Sequence, residues 1–477
     1  MTLTRILAEL ALNTRTDELP ASTYAAARKM VLDSLGCAIA GYNSDGIAAC
    51  LEAAREQGGA TQATVLVHGD RLPMDEAAFV NGAMIHALDY DDVHLPGPLH
   101  LMSSMLPVAL AASEYVRADG RAFLDAIILG VEVSARLGRA CRPLASPAHQ
   151  AGFLQSSIIG GFGATAGACR ILGMSVEQTV AALGLFYAQA SGNRQALYDK
   201  TLTKRLQPAF AARDALWAAD LARRGITGPE RAIEGSAGLV RLYLNSDGAI
   251  PPEVLSERFG RWEIEELSVK QFTSCGACHP VARAALDLAE EEDLAPADID
   301  RVSIYVGEGR NELVGMPFEM GDSPQVNAQF CATYSAALAL LRRRAGLAEF
   351  TSERVVEDTE VADFARRIKV LTHHDQPPPD TPCPRGINAW ACKPHGVFVE
   401  TRDGRKLERW RTPLSVLGPD AMDWDTVVDK FKECTTFSGI CPPEQARQII
   451  AAVESLGETS GVSGLLEACR QVLWNPQ

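Results

Sequence analysis

Aromatic side chains are scarce in this chain of 477 residues, only 6% in all, while alanine and glycine are plentiful. So thin a supply of large rings argues against a sandwich of short strands and for helices packed closely through small residues. Basic residues are short as well: 45 Lys and Arg face 60 Asp and Glu, a formal net charge of −15. Phosphate backbones need a cationic surface, so nucleic acid is excluded as a partner. A small anionic substrate is not, because a local cationic cleft can dominate the field such a ligand feels. Long apolar runs are missing too, and none reaches the ~18 residues a membrane span requires. The longest uncharged stretch, Pro143 to Cys169, holds His149, Gln150, Gln155, Ser156 and Ser157 besides several glycines. It reads as a packed interior segment, and no membrane association is expected.

The first twenty residues lack an apolar h-region and turn charged early, so no export signal is expected. Twelve cysteines without export then read as reduced thiols in the cytoplasm. Cys275-Gly276-Ala277-Cys278-His279 spells the string used for c-type haem attachment, but that chemistry needs export. A zinc site would need a second ligand pair, and Cys383 and Cys392 have the wrong spacing for one. Ordinary thiols in a turn are the favoured reading.

What is present is helical periodicity. Ala25 to Ala40, Ser104 to Val116, Ala126 to Leu137 and Val180 to Ala190 place apolar residues three or four apart. Asp119-Gly120 and Gly225 punctuate them, and no strand is expected before about residue 262. Then β-branched runs of strand length arrive at Ile299 to Val306, Arg367 to Thr372 and Val397 to Arg402. Asp403-Gly404 signals a hairpin to Lys406–Arg411. Helical pattern fills Val281 to Glu292 and Ala328 to Arg344 between them, and returns at Trp424 to Cys434, Pro443 to Leu456 and Val462 to Leu473. The expected fold is mostly α: a large helical domain formed by both chain ends, 1–261 and 413–477, with an inserted α+β lid domain at 262–412. A cleft between two such domains is a favoured place for a ligand.

Two clusters could carry chemistry. Asn81 to His100 packs three Asp and three His into twenty residues, with His86, Asp89, Asp91 and Asp92 near a helix end. A carboxylate beside a histidine tunes and orients it for acid–base work, whereas a capped helix end with a solvated acidic loop would look the same. A metal site lacks recognised spacing, so none is expected. The second cluster is Lys200, Lys204, Arg205 and Arg213. A solvated charge run explains it, and so does a buried helix whose cations need an anionic partner, for which a carboxylate substrate would serve. No acid stands at helical spacing from Lys204.

Several stretches together resemble the MmgE/PrpD family. They are VLDSLGCAIAG (31–41), FVNGAMIHALDYDD (79–92), GFGATAGACRILG (161–173), TKRLQPAFAAR (203–213), GITGPERAIEGSAG (225–238), SVKQFTSCGACHP (268–280) and AQFCATYSAA (328–337). The resemblance covers almost the whole chain. It implies a helical domain with an inserted lid, a homodimer, no metal or organic cofactor, and lyase or isomerase chemistry on a small di- or tricarboxylate. It also implies roles. Asp89, His100, Lys204, Lys270 and Tyr334 match the catalytic positions, and His86 and Asp92 belong to the substrate site. A proton is taken from carbon next to a carboxylate, the lysines stabilise the charge that builds, and His100 or Tyr334 moves the proton. Dehydration, decarboxylation and epimerisation all begin this way.

The departures from the family pattern bear on the substrate. Gly152-Phe153-Leu154-Gln155-Ser156 carries Leu154 where many relatives carry histidine, Gln207 replaces the histidine of the TKxLH stretch, and Cys275 replaces a lid histidine. These three positions are expected to line the substrate site and to alter its choice. The rival readings are a degenerate member that binds a carboxylate without turnover and, less favoured, a metal-dependent hydrolase.

Overall fold

The computed structural model describes residues 1–145, 152–256, 260–307, 311–384, 387 and 389–470. Helices dominate. In the amino-terminal half these are α1 (Leu3–Asn13), α2 (Ala21–Gly41), α3 (Ile47–Gln57), α4 (Met74–His86), α5 (Met102–Val116), α6 (Gly120–Cys141), α7 (Gln155–Ile171), α8 (Val176–Gln189), the single turn α9 (Gln195–Tyr198) and α10 (Thr203–Arg223). Their ends follow local chemistry. The Asp119 side chain accepts the Ala122 amide to start α6, and Ser175 with Gln178 forms a capping box on α8. Close approach follows from the small residues: a Cβ added at Gly163 of α7 would stand 2.0 Å from the Gly130 carbonyl oxygen of α6. Among the described residues no helix is long and apolar enough to cross a membrane. Of the uncharged stretch 143–169, residues 146–151 lie outside the described residues; from Ser156 to Cys169 it is buried within α7.

Strands come in small sheets. Contrary to expectation, some precede residue 262: Ala63–Thr64 pairs with Arg71–Leu72, and β1 (Val93–His94) pairs antiparallel with β2 (Leu267–Ser268). The larger sheet has β3 (Ile299–Tyr305) between parallel β4 (Lys369–Leu371) and antiparallel β5 (His395–Thr401), with β6 (Lys406–Arg411) at the far edge. Gly404 turns the β5–β6 hairpin at φ 90°, where glycine has no steric cost. Helices α11 (His279–Glu291) and α13 (Ala332–Arg342) pack together beside it, and α14 (Thr359–Arg367) packs on α13. The helix expected over 328–344 is two helices, because α12 (Pro324–Gln329) breaks at Phe330-Cys331 before α13 begins.

The last helices are α15 (Trp424–Ser438), α16 (Pro443–Glu454) and α17 (Ser463–Arg470); residues 471–473 of the expected last helix lie outside the described residues. Helix α15 returns to pack along α2. The buried apolar residues accordingly separate into two large clusters. One draws on residues 3–269 and, with Leu347, on 422–469; the other draws on residues 272–416. Cys383 and Cys392 are joined by a disulfide, so the expectation of wholly reduced cysteines fails at that pair.

Candidate active site

Helix α4 ends at His86, and the chain then turns sharply enough that Asp89 takes a left-handed φ of 51°. Aspartate tolerates that region better than most residues, and the turn is held from outside. The Leu88 carbonyl accepts from the Gln329 side chain at 2.8 Å, the Asp89 carbonyl from Lys270 Nζ at 2.7 Å, and the Tyr90 carbonyl from Lys430 Nζ at 2.8 Å. Three consecutive carbonyls are thus caught by side chains from 181 to 340 residues away. Lys430 also pairs with Asp33 of α2 at 2.7 Å and lies 3.7 Å from the Tyr90 ring centroid. The β1–β2 pairing supplies the rest, since it brings the strand that leads into Lys270 alongside the acidic loop.

The side chains form one buried chain. Asp91 Oδ2 meets His86 Nδ1 at 2.7 Å, His86 Nε2 meets Lys204 Nζ at 2.8 Å, and Lys204 also binds Asp89 Oδ1. Lys270 stands 3.4 Å from Asp89 Oδ2. Burial alone would raise the Asp89 carboxyl, but Lys204 and Lys270 outweigh it and hold Asp89 well below the usual carboxylate range. Burial would likewise lower Lys270, and Asp89 and Asp91 hold it above its ordinary value instead. His86 is pushed down by burial, so it is neutral: its Nδ1–H donates to Asp91, and its Nε2 accepts from the Lys204 ammonium. The counter-charge of Lys204 is therefore Asp89, across the fold from α10, and not a ligand as the absence of a nearby acid in α10 suggested.

His100 completes the group. Its Nδ1–H donates to the Asp92 carbonyl at 2.6 Å, which leaves Nε2 as the ring's lone-pair nitrogen. Burial first, then Lys270, drives its pKa down to about 3, so the imidazole is neutral at ordinary pH. Its ring lies 5.3 Å from that of His86, and its side chain keeps 20% of its surface open, against 1% for His86. Of the two, His100 is the one a substrate can reach. Asp92 serves the backbone instead, its carboxylate accepting the amides of Leu101 and Met102 at 3.0 and 2.9 Å and so capping α5. Burial and the neighbouring Asp91 raise it to about 7.

The other expected residues fare unequally. The Ser156 hydroxyl accepts the His100 amide at 2.9 Å, so the 152–156 segment does border the site, with Leu154 half-buried at the start of α7. Cys275 packs with Phe330, whose ring lies 5.3 Å from Lys204 Nζ. Gln207 is already satisfied: its amide accepts the Asn193 amide at 2.7 Å and donates to the Asn193 carbonyl at 2.9 Å. It braces a loop. Tyr334 is not brought to this cluster. It is fully buried in the second core, 4.6 and 5.8 Å from the rings of Phe318 and Phe350, its hydroxyl without a partner among the described residues. In the CGACH stretch, Cys278 is buried and His279 begins α11, its Nε2–H donating to the Ser274 carbonyl at 3.2 Å.

His86, Asp89 and Asp91 offer three ligand atoms within 4.8 Å of one another, the group among the described residues that could hold a metal ion. Two of the three already face ammonium groups, which take the His86 Nε2 lone pair and the Asp89 charge that a divalent cation would need. The donor set fits a lysine-bridged carboxylate better than a metal. Asp91, Gln329, Phe330 and the Asp33–Lys430 pair also build this site; all but Lys430 stand in stretches that carry the family resemblance, though of these Asp91 alone was singled out as a candidate.

Comparison with characterised proteins gives the same direction along the whole chain. It is 27% identical to a cis-aconitate decarboxylase of Aspergillus terreus, over 95% of this chain and 93% of the relative. Against the mouse cis-aconitate decarboxylase the identity is 28% over 81% and 79%; against the human one it is 26% over 91% and 94%. The MmgE/PrpD N-terminal domain matches residues 5–250 and the MmgE/PrpD C-terminal domain residues 272–458, and the chain belongs to the MmgE/PrpD family.

Proposed function

We propose that this protein is a cofactor-independent lyase or isomerase that takes a proton from carbon adjacent to a carboxylate of a small di- or tricarboxylate. The observation that carries this reading is the neutral, part-exposed His100, its Nε2 free to accept, beside a buried Asp89 bracketed by Lys204 and Lys270. A C–H next to a carboxylate is a very weak acid, and its removal loads negative charge onto the carboxylate oxygens. A fixed pair of ammonium groups in a water-poor site lowers that barrier, because the dipoles and charges need not reorganise. His100 is the proton carrier in this reading, with the Asp92 carbonyl fixing its tautomer. The relatives named cis-aconitate decarboxylase support a carboxylate-processing lyase. We read the two apolar clusters as the cores of a helical domain (1–261 and 413–477) and an inserted lid (262–412), with Lys270 and Gln329 supplied by the lid.

The test is incubation in deuterated water with a panel of di- and tricarboxylates, followed by NMR. Deuterium at the carbon next to a carboxylate, or loss of water or carbon dioxide, supports the reading. Binding of a carboxylate with no exchange and no product would leave a ligand-binding member of the family instead.

A further inference from the structure

Arg194 is a cation that the site as described leaves unused. It lies on the turn between α8 and α9, where residues 192–194 run alongside 152–154. The Leu154 amide donates to the Gly192 carbonyl at 3.1 Å, the Arg194 amide to the Gly152 carbonyl at 3.0 Å, and Phe153 bridges to Asn193. Gln207 clamps the same turn through both groups of its amide. The turn is thereby fixed against α7 and α10, so the Arg194 side chain issues from a rigid base beside Leu154.

Three residues after Arg194, Leu197 faces the site. Leu197 of α9 packs with Phe330 and Cys275, and the Phe330 ring has Lys204 Nζ at 5.3 Å and Lys200 Nζ at 5.8 Å from its centroid. The Cys275 thiol lies within electrostatic reach of Arg194, and also of Asp89, Lys270 and Lys204. Asp89 and Asp91 both answer Lys270, whereas no carboxylate among the described residues acts on Arg194. Asp89 is already shared by both lysines. The part-buried Arg194 guanidinium makes no hydrogen bond or ion pair among the described residues, and burial depresses its pKa. A guanidinium partly withdrawn from water gains from an anion, and its planar fork matches a carboxylate in two parallel hydrogen bonds.

We propose that Arg194 binds the second carboxylate of the substrate, the one remote from the reacting carbon, and so makes this a site for dicarboxylates with that group reaching toward the Leu154–Cys275 side. The proposal rests on the reading of the site as one that processes carboxylates.

Calorimetry with succinate and with succinamate, in which an amide replaces one carboxylate, tests it on the intact protein. The unmodified protein should prefer succinate. Arg194→Gln should weaken succinate by about 10- to 100-fold and bring the two probes to within about twofold of each other, since a charge-assisted pair is exchanged for a neutral contact. Arg194→Lys should recover part of the preference. Both variants should melt with the unmodified protein. A succinate-to-succinamate ratio that Arg194→Gln leaves unchanged overturns the assignment of Arg194 alone. Failure of the unmodified protein to bind either probe overturns the carboxylate reading and this inference with it.

Discussion

Asp89→Asn isolates the electrostatic centre of the protein, because it changes one charge and almost no volume. In the native site Asp89 answers two buried ammonium groups, Lys204 at Oδ1 and Lys270 at 3.4 Å from Oδ2. With asparagine there, both ammoniums remain buried without an anion in contact. Removing one partner of a buried pair costs about 3–5 kcal/mol, and the lower end applies here, because His86 Nε2 and the residue-89 carbonyl still accept from the two lysines. In a large domain each kcal/mol moves Tm by roughly 2–4 °C, so a fall of roughly 6–12 °C is expected by calorimetry. The pH dependence has a definite sign. The folded pKa of Asp89 is depressed, so its contribution is present above the unfolded value of about 3.9 and is lost as pH falls through the folded value. The gap in Tm between native and variant should therefore hold steady from pH 8 to about 5 and narrow below about 4. Adding Lys204→Met to the variant should hurt less than adding it to the native protein, with a coupling of at least about 1 kcal/mol. A variant that melts within about 2 °C of native across this range would refute the role of Asp89 as their shared counter-charge.

His100→Gln should lower deuterium exchange into substrate by at least about 100-fold while Tm falls by no more than about 4 °C, since it removes a proton carrier and at most one hydrogen bond, that to the Asp92 carbonyl; near-native exchange would move the base elsewhere. Tyr334→Phe should leave turnover within about threefold and stability within about 1 kcal/mol, because the hydroxyl it removes has no partner among the described residues. A loss of turnover comparable to that of His100→Gln would place the tyrosine at the chemistry after all. With an apolar Leu154 beside the site, kcat/KM for cis-aconitate and 2-methylcitrate should fall well below that for simpler dicarboxylates, since Arg194 can answer one carboxylate on that side and a further one buried against leucine loses its solvation at a cost of several kcal/mol, about 2–5. Efficient turnover of either tricarboxylate would remove Leu154 from the wall of the pocket. Chelation with EDTA should leave kcat unchanged, because the ligand atoms of His86 and Asp89 are held by lysines; a loss reversed by added divalent metal would reassign the cluster.

Much of the helical scaffold could be read directly from the sequence. Apolar spacing of three and four located α2, α5 and α8 to within about four residues and the middle of α6, and Asp403-Gly404 located the β5–β6 hairpin, because these signals act between near neighbours. The short strands at 63–64, 71–72 and β1 escaped, since two residues carry no period, and their pairing is decided by what lies opposite. The break at Phe330-Cys331 escaped because helical pattern continues across it.

At the site the division is similar. The family stretches drew attention to Asp89, His100, Lys204 and Lys270, and these four do converge, although they come from four separate segments. Tyr334 carried the same kind of signal and went to the second core, where the direction of its side chain from α13 is set by packing against Phe318 and Phe350. Gln207 stands in a family position yet is consumed by a backbone turn, and Asp92 by a helix cap. Residue type and spacing along the chain determined which groups were on offer: carboxylates, imidazoles and ammoniums in plausible number. Only the tertiary structure decided which of them share a charge. Ion pairing in a low-dielectric interior depends on separations of a few ångströms, and those are fixed by helices packing across more than a hundred residues of chain.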